Sequence, residues 1–156
     1  MIITLVAVGK LKTPGIRATC DEYAKRIRTR QKLAIIEVPN AGRRAPAAAE
    51  ASTWEARAIA RAIPAANRVF CLSRSGRPDS SAAWARRLQD WRESGRDVSL
   101  LIGGAFGLEP SLIAEAEASL SLSPLTLPHE MARAVLLEQL YRADTILHGE
   151  PYHKAT

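Results

Sequence analysis

The last residues of the chain carry the side chains best suited to chemistry. In "GEPYHKAT" a tyrosine, a histidine and a lysine stand in a row at Tyr152, His153 and Lys154. Tyrosine can stack on a flat ring, histidine exchanges a proton near neutral pH, and lysine holds a phosphate. Each alone is ordinary surface decoration, and chain ends usually fray. Three complementary types side by side form a candidate site. Upstream, Glu138 and Arg142 stand four residues apart in the Glu-first order that helices favour. They read either as an exposed ion pair worth about 0.3–0.5 kcal/mol or as charges held beside a substrate. The other histidines are weaker candidates. His148 suits a helix C-terminus, and His129 suits a cap or a loop closure. No set of His, Cys and acidic residues has metal-ligand spacing, and no Ser–His–Asp arrangement is visible, so no metal is expected.

Two loops could hold a ligand. "LLIGGAFGLEP" runs a buried strand into Gly103, Gly104 and Gly107. Glycines let the backbone bend sharply and approach a ligand closely. The segment lacks both the GK[ST] of a phosphate loop and the G-x-G-x-x-G of a dinucleotide fold. It reads as a ligand loop or as a tight strand-to-helix turn. "SPLTLPH" places Pro124 and Pro128 around three residues. Proline fixes φ and removes a donor, so this is no ordinary central strand. A rigid apolar loop with free backbone groups can clamp a flat heterocycle such as adenine, or it can be a rigid core crossing.

The elements that must position these residues follow from periodicity. Apolar runs predict strands over 2–8, 33–39, 68–72, 97–104 and 120–127. Helical patterns occupy 16–30, 49–63, 82–93 and 109–118, and a last helix runs from near His129 to near Gly149. A polar loop is expected at 73–81, with Ser80 or Ser81 capping the next helix. Strands alternating with helices give an α/β domain with a mostly parallel sheet. The 156 residues show no repeat, linker or boundary, so one domain spanning 1–156 is expected.

Composition narrows the classes. Hydrophobic residues at 47% and charged residues at 24% suit a globular chain. No apolar run approaches the ~18–20 residues that cross a bilayer. "MIITLVAVGKLK" lacks a basic leader and a cleavage site, so it reads as a core strand and not a signal peptide. Cys20 and Cys71 lie far apart and read as thiols of a reducing cytoplasm. A net charge of +6, dominated by arginine, suits a polyanion partner. Aromatic residues at 5% argue against a base-stacking platform.

Four segments together carry a resemblance. "LVAVGKLK", "GRDVSLLIGGAFGL", "LSLSPLTLPHEMARAVLLEQLYRA" and "PYHK" resemble, in order and across essentially the whole chain, the ribosomal large subunit pseudouridine methyltransferase H family. That family belongs to the SPOUT class of S-adenosylmethionine-dependent methyltransferases. The resemblance implies a SPOUT-type mostly parallel α/β sheet with helices on both faces, a C-terminal deep trefoil knot and a homodimer. Pattern reasoning alone proposes no knot, since connections are almost always unknotted.

The resemblance also implies a cofactor site at Leu72, at Gly103 with Gly104 beside it, and along Leu122, Ser123, Pro124, Leu125, Thr126 and Leu127. The proline-bounded loop would then be the adenosine clamp. The implied reaction is methylation of N3 of a pseudouridine in helix 69 of 23S rRNA, on the assembled ribosome. Implied catalytic residues are His153 contacting the base, Tyr152 orienting it, Lys154 and Arg142 holding negative charge, and Glu138 fixing Arg142. Arg133 is a further candidate for RNA or cofactor. The tail of one subunit would complete the site above the cofactor of the other. Lys154 departs from the arginine also common among relatives, which keeps the charge but not the fork. Lys25, Arg26, Arg28, Arg43 and Arg44 could face RNA. Two rival readings are a knotted methyltransferase acting on another RNA and a non-catalytic RNA- or ribosome-binding protein.

Overall fold

The first strand is apolar because it is covered on both sides. In the computed structural model, which describes residues 1–42 and 47–153, β1 (Ile2–Val8) has six of its seven residues buried. Ile3, Leu5 and Ala7 join one hydrophobic layer, while Val6 and Val8 join the other. The chain continues through α1 (Pro14–Arg28), β2 (Lys32–Val38), α2 (Ala48–Ala62), β3 (Arg68–Pro78), α3 (Ser81–Ser94) and β4 (Val98–Ile102). It ends with α4 (Pro110–Glu115), β5 (Ala118–Ser121) and α5 (His129–Leu147). The strands form one sheet in the order β2-β1-β4-β3-β5, and every pair is parallel. Unbroken apolar runs are the sequence mark of such strands, and all five residues of β4 are buried.

Helices cover both faces. α1, α3 and α5 pack on one, around Trp84, Trp91, Leu136, Leu137 and Leu140. Phe70 and Trp91 meet there at 5.0 Å between ring centres. α2 and α4 cover the other face around Val6, Val38, Ile59, Cys71 and Leu101. Cys20 and Cys71 are both buried and unbonded to each other. Burial pushes the Cys71 thiol up to about 11, so it is not a nucleophile at neutral pH.

Most elements fall within two residues of the expected bounds, and three depart further. β3 runs on through the polar "SRSGRP" to Pro78, where a loop was expected. Its register against β5 shifts between Leu72 and Arg77, and tertiary pairing overrides the poor strand propensity of the segment. A Cβ on Gly76 would come within 2.6 Å of the Leu120 backbone, so the crossing there needs glycine. β5 begins at Ala118 and ends at Ser121 instead of spanning 120–127, because the chain leaves the sheet as it approaches Pro124. α4 stops at Glu115, since the next residues already enter β5. β3 and β5 are neighbours although α3, β4 and α4 lie between them in the chain. With the close crossing at Leu120, this path is consistent with the knot that the resemblance implies.

α5 is fixed to the carboxyl ends of the first two strands. Arg133, 1% exposed, donates to Glu37 Oε1 at 2.7 Å and to the carbonyls of Val8, at 2.8 Å, and Gly9. Glu130 accepts from the amides of Lys12 and Thr13, both at 3.0 Å. Near the far end Asp144 accepts from Arg92 at 2.6 Å and from Arg30 at 3.3 Å. These ties set where the two ends of α5 stand.

Candidate functional site

A cleft of about 410 Å³ opens beyond the carboxyl ends of β3 and β4, where parallel sheets bind ligands. β3 delivers Leu72 to it, and β4 runs out into Gly103 and Gly104. The segment after β5 contributes Leu122, Ser123, Leu125, Thr126 and Leu127, and the start of α5 contributes His129 and Ala132. Every residue expected to hold a cofactor is therefore on the wall except Pro124, which shapes the loop without lining it.

Local bonding explains the shape of both loops. Ser121 Oγ donates to the Ser123 carbonyl at 2.9 Å, and Ser123 Oγ accepts from the Leu125 amide at 3.0 Å. Serines thus take up backbone groups that a strand would have paired. In the glycine segment the Gly107 amide donates to the Gly104 carbonyl at 3.1 Å, and Gly107 has a φ of 78°. A Cβ on Gly103 would overlap the Gly107 carbonyl group. The segment is at once a tight turn and a wall of the cleft. Leu125 and Phe106, 71% and 57% exposed, stand on its lining as bare apolar groups.

The expected catalytic residues form a second cluster, on the C-terminal half of α5. Arg142 Nε donates to Glu138 Oε1 at 2.9 Å. The Tyr152 hydroxyl donates to the same oxygen at 3.1 Å. The Arg142 guanidinium lies 4.8 Å over the Tyr152 ring, and Tyr141 meets that ring edge-on at 4.8 Å. His153 Nδ1 is 3.4 Å from Arg142 Nη1. Arginine can only donate, so Nδ1 accepts and the ring hydrogen sits on Nε2. Glu138 raises the pKa of Arg142 further through their hydrogen bond. Burial, then bonds to Tyr23 and Glu138, push the Tyr152 phenol far above its ordinary value. It is a hydrogen-bond donor there, not a base.

One residue of this cluster was not expected. Tyr23, on α1, places its hydroxyl 3.0 Å from that of Tyr152, and Arg26 stacks over Tyr23 and Tyr141 at 5.9 and 5.6 Å. In the sequence Tyr23 is only part of an amphipathic face. Its partner is 129 residues away, and no spacing rule links them.

Within one chain the two groups stay apart. None of Glu138, Arg142, Tyr152 and His153 lines the cleft. Glu138 lies about 14 Å along the helix from His129, which does. Arg133 lines neither group, because its two terminal nitrogens are bonded inside the fold. Lys154, Arg43 and Arg44 lie outside the described residues. Among the described residues no three His, Cys, Asp or Glu side chains group as metal ligands, and no helix is long and apolar enough to cross a membrane.

Comparison with known proteins matches this arrangement to one family. A family model described as predicted SPOUT methyltransferase matches residues 1–153. A ribosomal RNA large subunit methyltransferase H from Anaeromyxobacter sp. (strain Fw109-5) is 44% identical over 154 residues, covering 99% of this chain and 100% of that protein. A protein of the same name from Thioalkalivibrio sulfidiphilus (strain HL-EbGR7) is 43% identical over 156 residues, covering 99% of each chain. Among solved structures, a probable methylase family protein from Haemophilus influenzae Rd KW20 aligns with a TM-score of 0.58 at 14% identity, over 98% of this chain and 70% of that one. A probable methyltransferase from Bordetella pertussis Tohama I aligns with a TM-score of 0.54 at 16% identity, over 90% and 93%. At those identities the two structures speak to the fold alone.

Proposed function

The chain belongs to the SPOUT methyltransferase family, and from that premise we propose that it methylates N3 of a pseudouridine in helix 69 of 23S rRNA. It would act as a single domain, 1–156, in the cytoplasm, on the assembled ribosome, with S-adenosylmethionine as cofactor. The names of its 43–44% identical relatives support large-subunit rRNA as the substrate class.

The observation that carries this reading is the cleft. Its size falls within the ~300–1,000 Å³ of small-molecule sites. Its walls fit the cofactor: Leu72, Ile102, Leu122 and Leu127 offer apolar faces to an adenine, and the glycine turn presents backbone without side chains. Leu72, Gly103, Gly104 and the 122–127 loop would hold it. When bound, S-adenosylmethionine supplies an electrophilic methyl group.

The remaining work falls to the chain's own residues. Alignment of the acceptor nitrogen supplies much of the acceleration in such a displacement. His153 contacts the base and Tyr152 orients it. The N3 proton passes to solvent water, and the negative charge it leaves on the imide is stabilised by Arg142 in a direction fixed by Glu138. Lys154 holds phosphate. Because the catalytic cluster lies away from the cleft of its own chain, the tail of one subunit completes the site of its partner in a homodimer. Exposed apolar groups at Phe106, Leu125 and Met131 suit that burial.

The test uses radiolabelled S-adenosylmethionine with ribosomes from a strain lacking the protein. Assembled 70S particles, free subunits and naked rRNA are compared, and the label is mapped by mass spectrometry. Label on a helix 69 pseudouridine, strongest with 70S particles, is the expected result. Label elsewhere would keep the enzyme class and discard the substrate. No label on any RNA from folded protein would sink the reading.

A further inference from the structure

A second cavity of about 190 Å³ lies between the loop after β2, α2 and the 104–106 turn. It shares Gly104, Ala105, Phe106 and His129 with the larger cleft, so the two are neighbours. Glu55 of α2 lines it and is 5% exposed. One oxygen, Oε1, accepts from the Ala41 amide at 3.0 Å. Among the described residues the other, Oε2, is buried with no hydrogen-bond partner. A buried carboxyl oxygen without a donor is costly and calls for an explanation. A Cβ on Gly104 would stand 2.6 Å from Oε2, so at that point bare backbone separates the carboxyl group from the larger cleft.

The same cavity carries donors. Asn40 and His129 both line it. Asn40 Nδ2 and His129 Nε2 both lie beside Gly9, 3.8 and 3.6 Å from where its Cβ would be, so both side chains present nitrogens at the end of the cavity next to β1. An unpartnered carboxyl group and two nitrogen donors around a small space complement an α-amino acid, with its ammonium on the acid and its carboxylate on the donors.

We infer that this cavity binds the amino-acid end of the cofactor, with the methionyl ammonium on Glu55 Oε2 and the methionyl carboxylate on Asn40 and His129. The inference rests on the reading that the larger cleft holds S-adenosylmethionine. The two cavities share Gly104, Ala105, Phe106 and His129, and at Gly104 no side chain stands between them. A bond between charged groups is among the stronger kinds.

The test is calorimetry on the full chain with three ligands: S-adenosylmethionine, S-adenosylhomocysteine and 5′-methylthioadenosine, which lacks the amino-acid end. Glu55→Gln should weaken the first two by about tenfold or more and the third by less than about twofold. Asn40→Ala, at an exposed position, should weaken S-adenosylhomocysteine several-fold and spare methylthioadenosine. Each comparison is a ratio within one protein, so partial unfolding cancels. If Glu55→Gln does not fold, an unchanged ratio in Asn40→Ala overturns the inference. Equal loss of all three ligands would make Glu55 structural and also overturn it. Loss of S-adenosylmethionine alone would assign Glu55 to the sulfonium, and the amino-acid subsite would be wrong. A wild-type chain that binds none of the three would end the cofactor reading itself, and this subsite with it.

Discussion

At the scale of single residues, the proposed catalytic cluster is a set of donors converging on Glu138 Oε1. Arg142 and Tyr152 both give to that one oxygen, and His153 stands behind Arg142. Replacing His153 by Ala should therefore cut turnover about 100-fold or more while the dissociation constant for S-adenosylmethionine stays near normal; equal loss of binding would make the tail structural. Tyr23→Phe removes one of the bonds to Tyr152 and should cost about 0.5–1.5 kcal/mol in chemical denaturation. It should lower kcat more than it raises KM for the cofactor. Tyr152 also has a pH signature. Its folded phenol titrates above the ordinary value of 10.0, so the native state favours the protonated form. Its contribution to stability is full below about pH 10 and drains away as pH rises beyond it. Thermal melts from pH 8 to 11 should show a shallower alkaline decline for Tyr152→Phe than for the wild type. Residue types announced Glu138, Arg142, Tyr152 and His153, because they stand within one helix and its tail. Tyr23 and Glu55 stayed hidden, since each gains meaning only from groups that the fold brings to it.

At the scale of elements, the glycine turn and the first turns of α5 do different jobs from those their sequences suggest at first sight. Arg133 looks like a contact for RNA, yet it closes the carboxyl ends of β1 and β2 from inside. Arg133→Ala would take the guanidinium from the Val8 and Gly9 carbonyls and from Glu37, which keeps the Leu11 amide, and should cost about 1–3 kcal/mol in denaturant unfolding. Gly103→Val forces a side chain into the Gly107 backbone, so the turn must move. Cofactor affinity should fall at least about tenfold, whereas an unchanged dissociation constant would place the cofactor elsewhere. The strands were legible because burial on both faces leaves a plain apolar run. The outer half of β3 was not, because "SRSGRP" is polar and pairs only through the neighbour that β5 provides.

At the scale of the whole molecule, the parallel α/β class could be read from alternation alone. The strand order β2-β1-β4-β3-β5 could not, because nothing local records that β4 inserts between β1 and β3. The separation of the cleft from the Glu138, Arg142, Tyr152 and His153 cluster also belongs to this scale. If each site draws its cleft from one subunit and its tail from the other, two dead variants should rescue each other. Mixed dimers of Gly103→Val and His153→Ala chains each rebuild one intact site, so refolding them together should restore up to about a quarter of wild-type activity. A mixture as inactive as its parts would put both halves of the site in one chain.

The bonds from α5 back to the start of the chain bear on how the protein comes into being. Glu130 reaches the Lys12 amide across 118 residues, and Arg133 reaches the Val8 carbonyl across 125. Synthesis delivers β1 first and α5 last. Until the final helix emerges, the carbonyls at the tip of β1 have no arginine, and the cleft lacks the wall that His129 and Ala132 provide. The nascent chain therefore has no partial activity to grow into. A product truncated before α5 would leave uncovered the core that Leu136, Leu137 and Leu140 close, and should be degraded faster than the full chain.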